Sequence, residues 1–76
     1  MGVPKRLTEM QMRFAEFIVF GGPDGPMTQG EAAVAAGYSS NRARQEGSEL
    51  LNPRLSPLVV HYVGQLKEER LKKFEV

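Results

Sequence analysis

Glycine and proline interrupt this chain at three places and leave four stretches long enough to be helices. Gly21-Gly22-Pro23-Asp24-Gly25-Pro26 is a run that neither helix nor strand tolerates. Gly37 follows an alanine-rich segment, and Pro53 and Pro57 stand four apart, so the second would break any helix begun at the first. None of the stretches alternates with the period of a strand, and no repeat or sustained heptad appears. The expected fold is all-α, a small four-helix domain spanning residues 1–76.

Local signals set the expected boundaries. Thr8 and Gln11 have the spacing of a capping box, with Leu7 placed to pack on Met12, so a first helix is expected over residues 9–20. At 100° per residue its core face would be Met10, Phe14, Phe17 and Ile18. Thr28 and Glu31 form a second box, and Ala32 to Ala36 continue as helix to the left-handed stop at Gly37, giving residues 29–36. Tyr38 is placed to lock that end, and Ser39 or Ser40 can cap a third helix over 41–51 with core positions Ala43, Gly47, Leu50 and Leu51. A fourth helix is expected over 57–73, its apolar face Leu58, Val59, Tyr62, Val63 and Leu66. The charged stretch after Leu66 reads as a fraying, flexible end.

Composition removes most function classes. A chain of 76 residues buries only about 60% of its unfolded surface, which leaves one unit and no second domain for a substrate. Cysteine is absent, which excludes disulfides, thiolate catalysis and Cys-based zinc sites. His61 is the sole histidine and no two acids share helical spacing beside it, while Glu68 and Glu69 point to different sides of a helix. No catalytic constellation, metal site or cofactor is expected, and the chain is not expected to be an enzyme. The longest apolar run, Phe17 to Phe20, is too short for a membrane span, and Met1-Gly2 lacks the hydroxyl residue a myristoylation signal needs at position 6, which is Arg6. The Gly21–Pro26 run lacks the Gly-Lys-Ser/Thr ending of a nucleotide loop.

A short helix, a turn at Gly37 and a longer helix with a polar outer face is the order of a helix-turn-helix, whose second helix enters the DNA major groove. Gln45 and Asn41 can pair bidentately with adenine, Arg42 or Arg44 can meet guanine or phosphate, and Ser48 can reach base or backbone. With Ser40 at the start of the helix, the expected DNA-contacting set is Ser40, Asn41, Arg42, Arg44, Gln45 and Ser48. Charge gives little support: the net charge is +1, and Glu46 and Glu49 on the same helix repel phosphate.

Three segments together resemble the N-terminal part of phage terminase small subunits. These are Leu7-Thr8 with Gln11 and Phe14, the run Ala32-Ala33-Val34-Ala35-Ala36-Gly37-Tyr38-Ser39, and Gly47-Ser48-Glu49-Leu50-Leu51-Asn52-Pro53. The resemblance covers about residues 7–63, and its specific part is the middle run. It implies a helical domain in the host cytoplasm that recognises double-stranded viral DNA and directs genome packaging with the terminase large subunit, an ATPase and nuclease. It also implies homo-oligomeric rings in a full-length protein, formed through a more C-terminal region, and the expectation for this chain is a fragment or an isolated domain that can be monomeric. The chain departs from the family pattern at Gly30 and Glu31, where Thr and Gln are usual, at Glu49, where a basic residue is common, and at a shorter Leu51-Asn52 junction. The competing expectation is a helical protein-interaction module for subunit assembly or large-subunit docking without DNA contact. A third is a regulator of transcription or transposition reading a palindromic site.

Overall fold

The computed structural model describes residues 6–74, and the Met1-Gly2 pair weighed above lies outside them. The described chain is a compact domain of four helices without strands: α1 Glu9–Phe20, α2 Gln29–Ala36, α3 Ala43–Leu50 and α4 Pro57–Phe74. α1 is central, packing on α2 and on α4, while α3 packs on α2.

Both capping boxes form. In each, the threonine hydroxyl accepts from the amide three residues on, at 3.1 Å for Thr8 and 3.2 Å for Thr28. The Gln11 and Glu31 side chains accept from the Thr8 and Thr28 amides in return, both at 2.9 Å. α2 ends at Gly37 with φ 115°, its amide on the Val34 carbonyl and the Tyr38 amide on the Ala33 carbonyl, both 3.0 Å. That pair of bonds is the Schellman closure, and the left-handed residue it requires is glycine because a side chain is strained there. Between α1 and α2, the Gly22 and Gly25 amides each donate to the other's carbonyl, closing the loop on itself.

Phe14 of α1 and Val59 of α4 are the largest fully buried side chains, joined by Ala15, Val19, Val63 and Leu66. The buried sector of α1 differs from the expected arc. Phe14 is in it, but Met10, Phe17 and Ile18 are only partly covered, and Ala15 and Val19 take the innermost places. A helix covered on two sides buries a wider sector than a single amphipathic stripe describes. In α4, Val59, Val63 and Leu66 are buried as expected, while Leu58 is 38% exposed.

Two further expectations are corrected. α3 begins at Ala43 rather than 41, with Arg42 as a cap that makes no side-chain bond. Residues 40–42 form a turn in which the Arg42 and Ala43 amides are taken by the Ser39 and Ser40 carbonyls, at 3.1 and 3.5 Å. Those amides need no serine hydroxyl, so neither Ser39 nor Ser40 caps the helix. At its other end α3 stops at Leu50, and Leu51 is half-buried. The charged stretch after Leu66, expected to fray, is helical through Phe74. Arg70 reaches from it across to α1, Nη1 donating to the Val19 carbonyl at 3.0 Å. The guanidinium thereby satisfies a carbonyl at the negative end of α1. Tyr62 adds a second tie, its hydroxyl donating to Glu16 Oε2 at 3.3 Å.

Candidate nucleic-acid interface

The α2–α3 pair is built from small side chains. α2 buries only Ala32, Ala33 and Ala36, and α3 contributes Ala43, Gly47 and Leu50. A Cβ on Gly47 would lie 2.8 Å from the Gln29 carbonyl oxygen and 3.0 Å from Gln29 Cβ, so α3 crosses the first turn of α2 at backbone distance. Of the expected core positions, Ala43, Gly47 and Leu50 are buried while Leu51 lies beyond the helix and is half-buried, and Gly47 is there because nothing larger fits.

This approach fixes what α3 shows to solvent. With Ala43, Gly47 and Leu50 turned inward, the 3.6-residue period points Gln45 and Ser48 outward and swings Arg44 towards α2. All three are exposed. The Arg44 stem lies over Gly30, its Cγ 3.4 Å from where a Cβ on Gly30 would stand. Thr28, Gln29, Gly30 and Arg44 line an open cleft of about 510 Å³. The Thr28–Glu31 capping box occupies the Thr28 and Glu31 amides, and the Gln29 and Gly30 amides, at the head of the helix, have no acceptor within it. Helix starts of this kind favour anions, and here the guanidinium adds to the effect while the Glu31 carboxylate works against it.

The remaining expected residues are placed differently. Ser40 and Asn41 are exposed but lie in the turn before α3, not on its face. Arg42 is on the far flank from Arg44, with Nη2 at 3.8 Å from Glu46 Oε1 and its side chain 60% exposed. Beside it, Gln45 Nε2 donates to Glu49 Oε2 at 3.1 Å. The surface therefore has a cationic edge at Arg44 and the α2 start, a neutral ridge at Gln45 and Ser48, and an acidic edge at Glu46 and Glu49. Both acids are half-buried. Tyr38 lies under the acidic edge: burial pushes its phenol above the usual range and the Glu46 carboxylate adds to the effect.

Gln29 and Gly30 were not in the expected set. The signal was present in Thr28-Gln29-Gly30-Glu31, since a capping box locates a helix start, but which start meets α3 depends on the tertiary crossing. Among the described residues no three His, Asp or Glu side chains gather as metal ligands would, and no helix is long and apolar enough to cross a membrane. The arrangement offers hydrogen-bond donors and acceptors at Gln45, Ser48, Arg44 and the α2 start. No family model, curated protein or solved structure matches the chain.

Proposed function

We propose that this domain is a non-enzymatic helix-turn-helix reader of double-stranded DNA, with α2 and α3 as its two helices. The observation that carries the reading is the joint surface of α2 and α3: the outward residues Arg44, Gln45 and Ser48 sit on a helix whose other side is locked at backbone distance onto the start of α2. In this reading Gln45 and Ser48 meet base edges in the major groove, Arg44 and the α2 start hold a phosphate, and Asn41 and Arg42 contact the flanking backbone. The sequence resemblance extends it to a terminase small subunit acting on viral DNA in the host cytoplasm with the terminase large subunit.

The charges set the strength. Two arginines facing two half-buried acids neutralise few phosphates, so one domain binds non-specific duplex at about 10⁻⁴ to 10⁻⁶ M. Base contacts at roughly 1–3 kcal/mol each add selectivity. Linked copies in a homo-oligomer raise avidity by about 10² to 10⁴.

An NMR titration of the labelled domain with short duplex DNA at low and moderate salt tests the reading. Shifts concentrated at residues 28–30 and 40–48 and weakening with salt support it, and an unmoved α3 rejects it. The second reading, a protein-interaction module without DNA contact, is favoured by one observation. Leu7, Met12, Leu58, His61 and Tyr62 line a largely apolar cleft of about 400 Å³ on the α1–α4 side. Shifts confined to that side on adding a protein partner, with none on adding DNA, would select it.

A further inference from the structure

Glu49 is the residue of the candidate surface that DNA binding leaves unexplained. It stands half-buried on the helix proposed to lie in the groove, where a carboxylate works against the approach of phosphate. Glu46, the other acid of that edge, has a cation beside it in Arg42. Glu49 makes no ion pair among the described residues. Its Oε2 instead accepts from Gln45 Nε2 at 3.1 Å, one helical turn earlier on the same face. Gln45 is exposed, and its amide is a group that can meet two atoms of one base.

That bond fixes more than the place of the side chain. A primary amide has nearly the same shape with its oxygen and nitrogen exchanged, and a glutamine in solvent samples both senses. An ionised carboxylate only accepts hydrogen bonds, so Glu49 holds the nitrogen side of the amide against itself and turns Oε1 away. Beyond that contact Gln45 presents one acceptor, Oε1, and the second N–H of Nε2. We propose that Glu49 is a positioning residue for base recognition, fixing the sense of the Gln45 amide so that it reads adenine. The inference rests on the DNA-reading function proposed above and gives that surface its base. In the major groove adenine offers an N6 donor beside an N7 acceptor, the complement of one carbonyl and one N–H. Guanine offers two acceptors there, O6 and N7, and so sets O6 against Oε1. An amide free to turn has to be ordered on binding and can adapt to other base pairs. A pinned amide meets adenine already ordered and discriminates more sharply, and this outcome explains an acid on a phosphate-facing helix.

The test compares wild type, Gln45→Ala and Glu49→Gln, the last isosteric with the residue it replaces. Selection from a randomised duplex pool finds the base pair at which Gln45→Ala relaxes the wild-type preference. Fluorescence anisotropy at fixed salt then measures affinity for duplexes carrying adenine or guanine at that position. Wild type is expected to prefer adenine by about fivefold or more, and Gln45→Ala to lose the preference. Glu49→Gln should bind both duplexes more tightly, having one negative charge fewer, while its preference for adenine shrinks by about twofold or more. An acid that only repels phosphate would give the first change without the second, so tighter binding with an intact preference overturns the proposal. In the free domain the Gln45 side-chain amide protons should shift between wild type and Glu49→Gln in NMR spectra, and unmoved protons would deny the contact itself. Duplex binding by wild type with no adenine preference, or with one that survives Gln45→Ala, refutes this inference alone. A wild type that binds no duplex refutes the DNA-reading function and this inference with it.

Discussion

Gly47 and Gly64 allow the α2–α3 crossing to be weighed with a single chemical change. Both are interior helical glycines without positive φ, so replacing either by alanine gains about the same helix propensity, roughly 0.8–1 kcal/mol. They differ in what the new methyl meets. At Gly64 it meets nothing within 4 Å, whereas at Gly47 it lies 2.8 Å from a backbone oxygen, about 0.6 Å inside the 3.4 Å at which ordinary contact begins. The Gln29 carbonyl cannot swing aside as a side-chain end could, so α3 must lift from α2, an overpacking that costs about 1–3 kcal/mol. Gly64→Ala should therefore be more stable than wild type, and Gly47→Ala less stable than Gly64→Ala by about 1–3 kcal/mol. For a domain of this size each kcal/mol is about 4–8 °C in midpoint. Circular-dichroism melts of dilute protein measure the difference, and DNA titration of the same samples reads whether lifting α3 also weakens binding. Equal midpoints for the two variants would refute the close crossing, and with it the account of why Arg44 sits over Gly30.

Further outcomes follow from the same geometry. Arg42→Ala with Arg44→Ala should lower duplex affinity and flatten its salt dependence while changing stability by less than about 0.5 kcal/mol, because both side chains are exposed and the Arg42–Glu46 pair is a solvated one. Unchanged affinity on filter binding or fluorescence anisotropy would remove α3 from the DNA surface. Thr28→Ala breaks the α2 capping box and should cost about 1 kcal/mol, seen as a lower denaturant midpoint at constant slope. No loss would mean the box is dispensable. Finally, the Tyr38 and Tyr62 phenols are both held above their usual pKa of 10, by burial first and then by Glu46 and Glu16 respectively. Their protonated forms favour the fold, so that contribution is complete below pH about 10 and is lost as pH rises through the raised values. Tyrosinate absorbance in the folded protein should lag behind free tyrosine, and coincident titrations would contradict the assignment.

What the sequence made legible was whatever is decided within one turn of chain. Thr8 with Gln11, Thr28 with Glu31, and Gly37 with Tyr38 each satisfy backbone groups three to five residues away. The start of α1, both ends of α2 and the start of α4 at Pro57 could be read from such pairs directly. Features decided by distant residues were hidden. The helix continues past Leu66 with Arg70 bonded to a carbonyl 51 residues earlier, which no periodicity in the charged stretch announces. The start of α3 was hidden too, because carbonyls of the preceding turn take the Arg42 and Ala43 amides and leave no capping role to the Ser39 or Ser40 hydroxyl. At the candidate interface, the exposed α3 residues were legible from their polarity alone. The share of Gln29 and Gly30 was not, because it arises only where Gly47 lets two backbones meet.

The alanine and glycine lining between α2 and α3 also limits how this protein can be taken apart. Those residues bring the two helices close but bury little apolar area, so the pair contributes little of the free energy that keeps it folded. Its stability is borrowed from α1, whose Phe14, Ala15 and Val19 supply the shared core. An α2–α3 fragment cut out as a peptide, or α3 alone grafted onto another scaffold, would lose the placement of Arg44 and Gln45 together with its support. The smallest transferable unit is the whole domain, and any engineered change of the α3 surface has to be made in place.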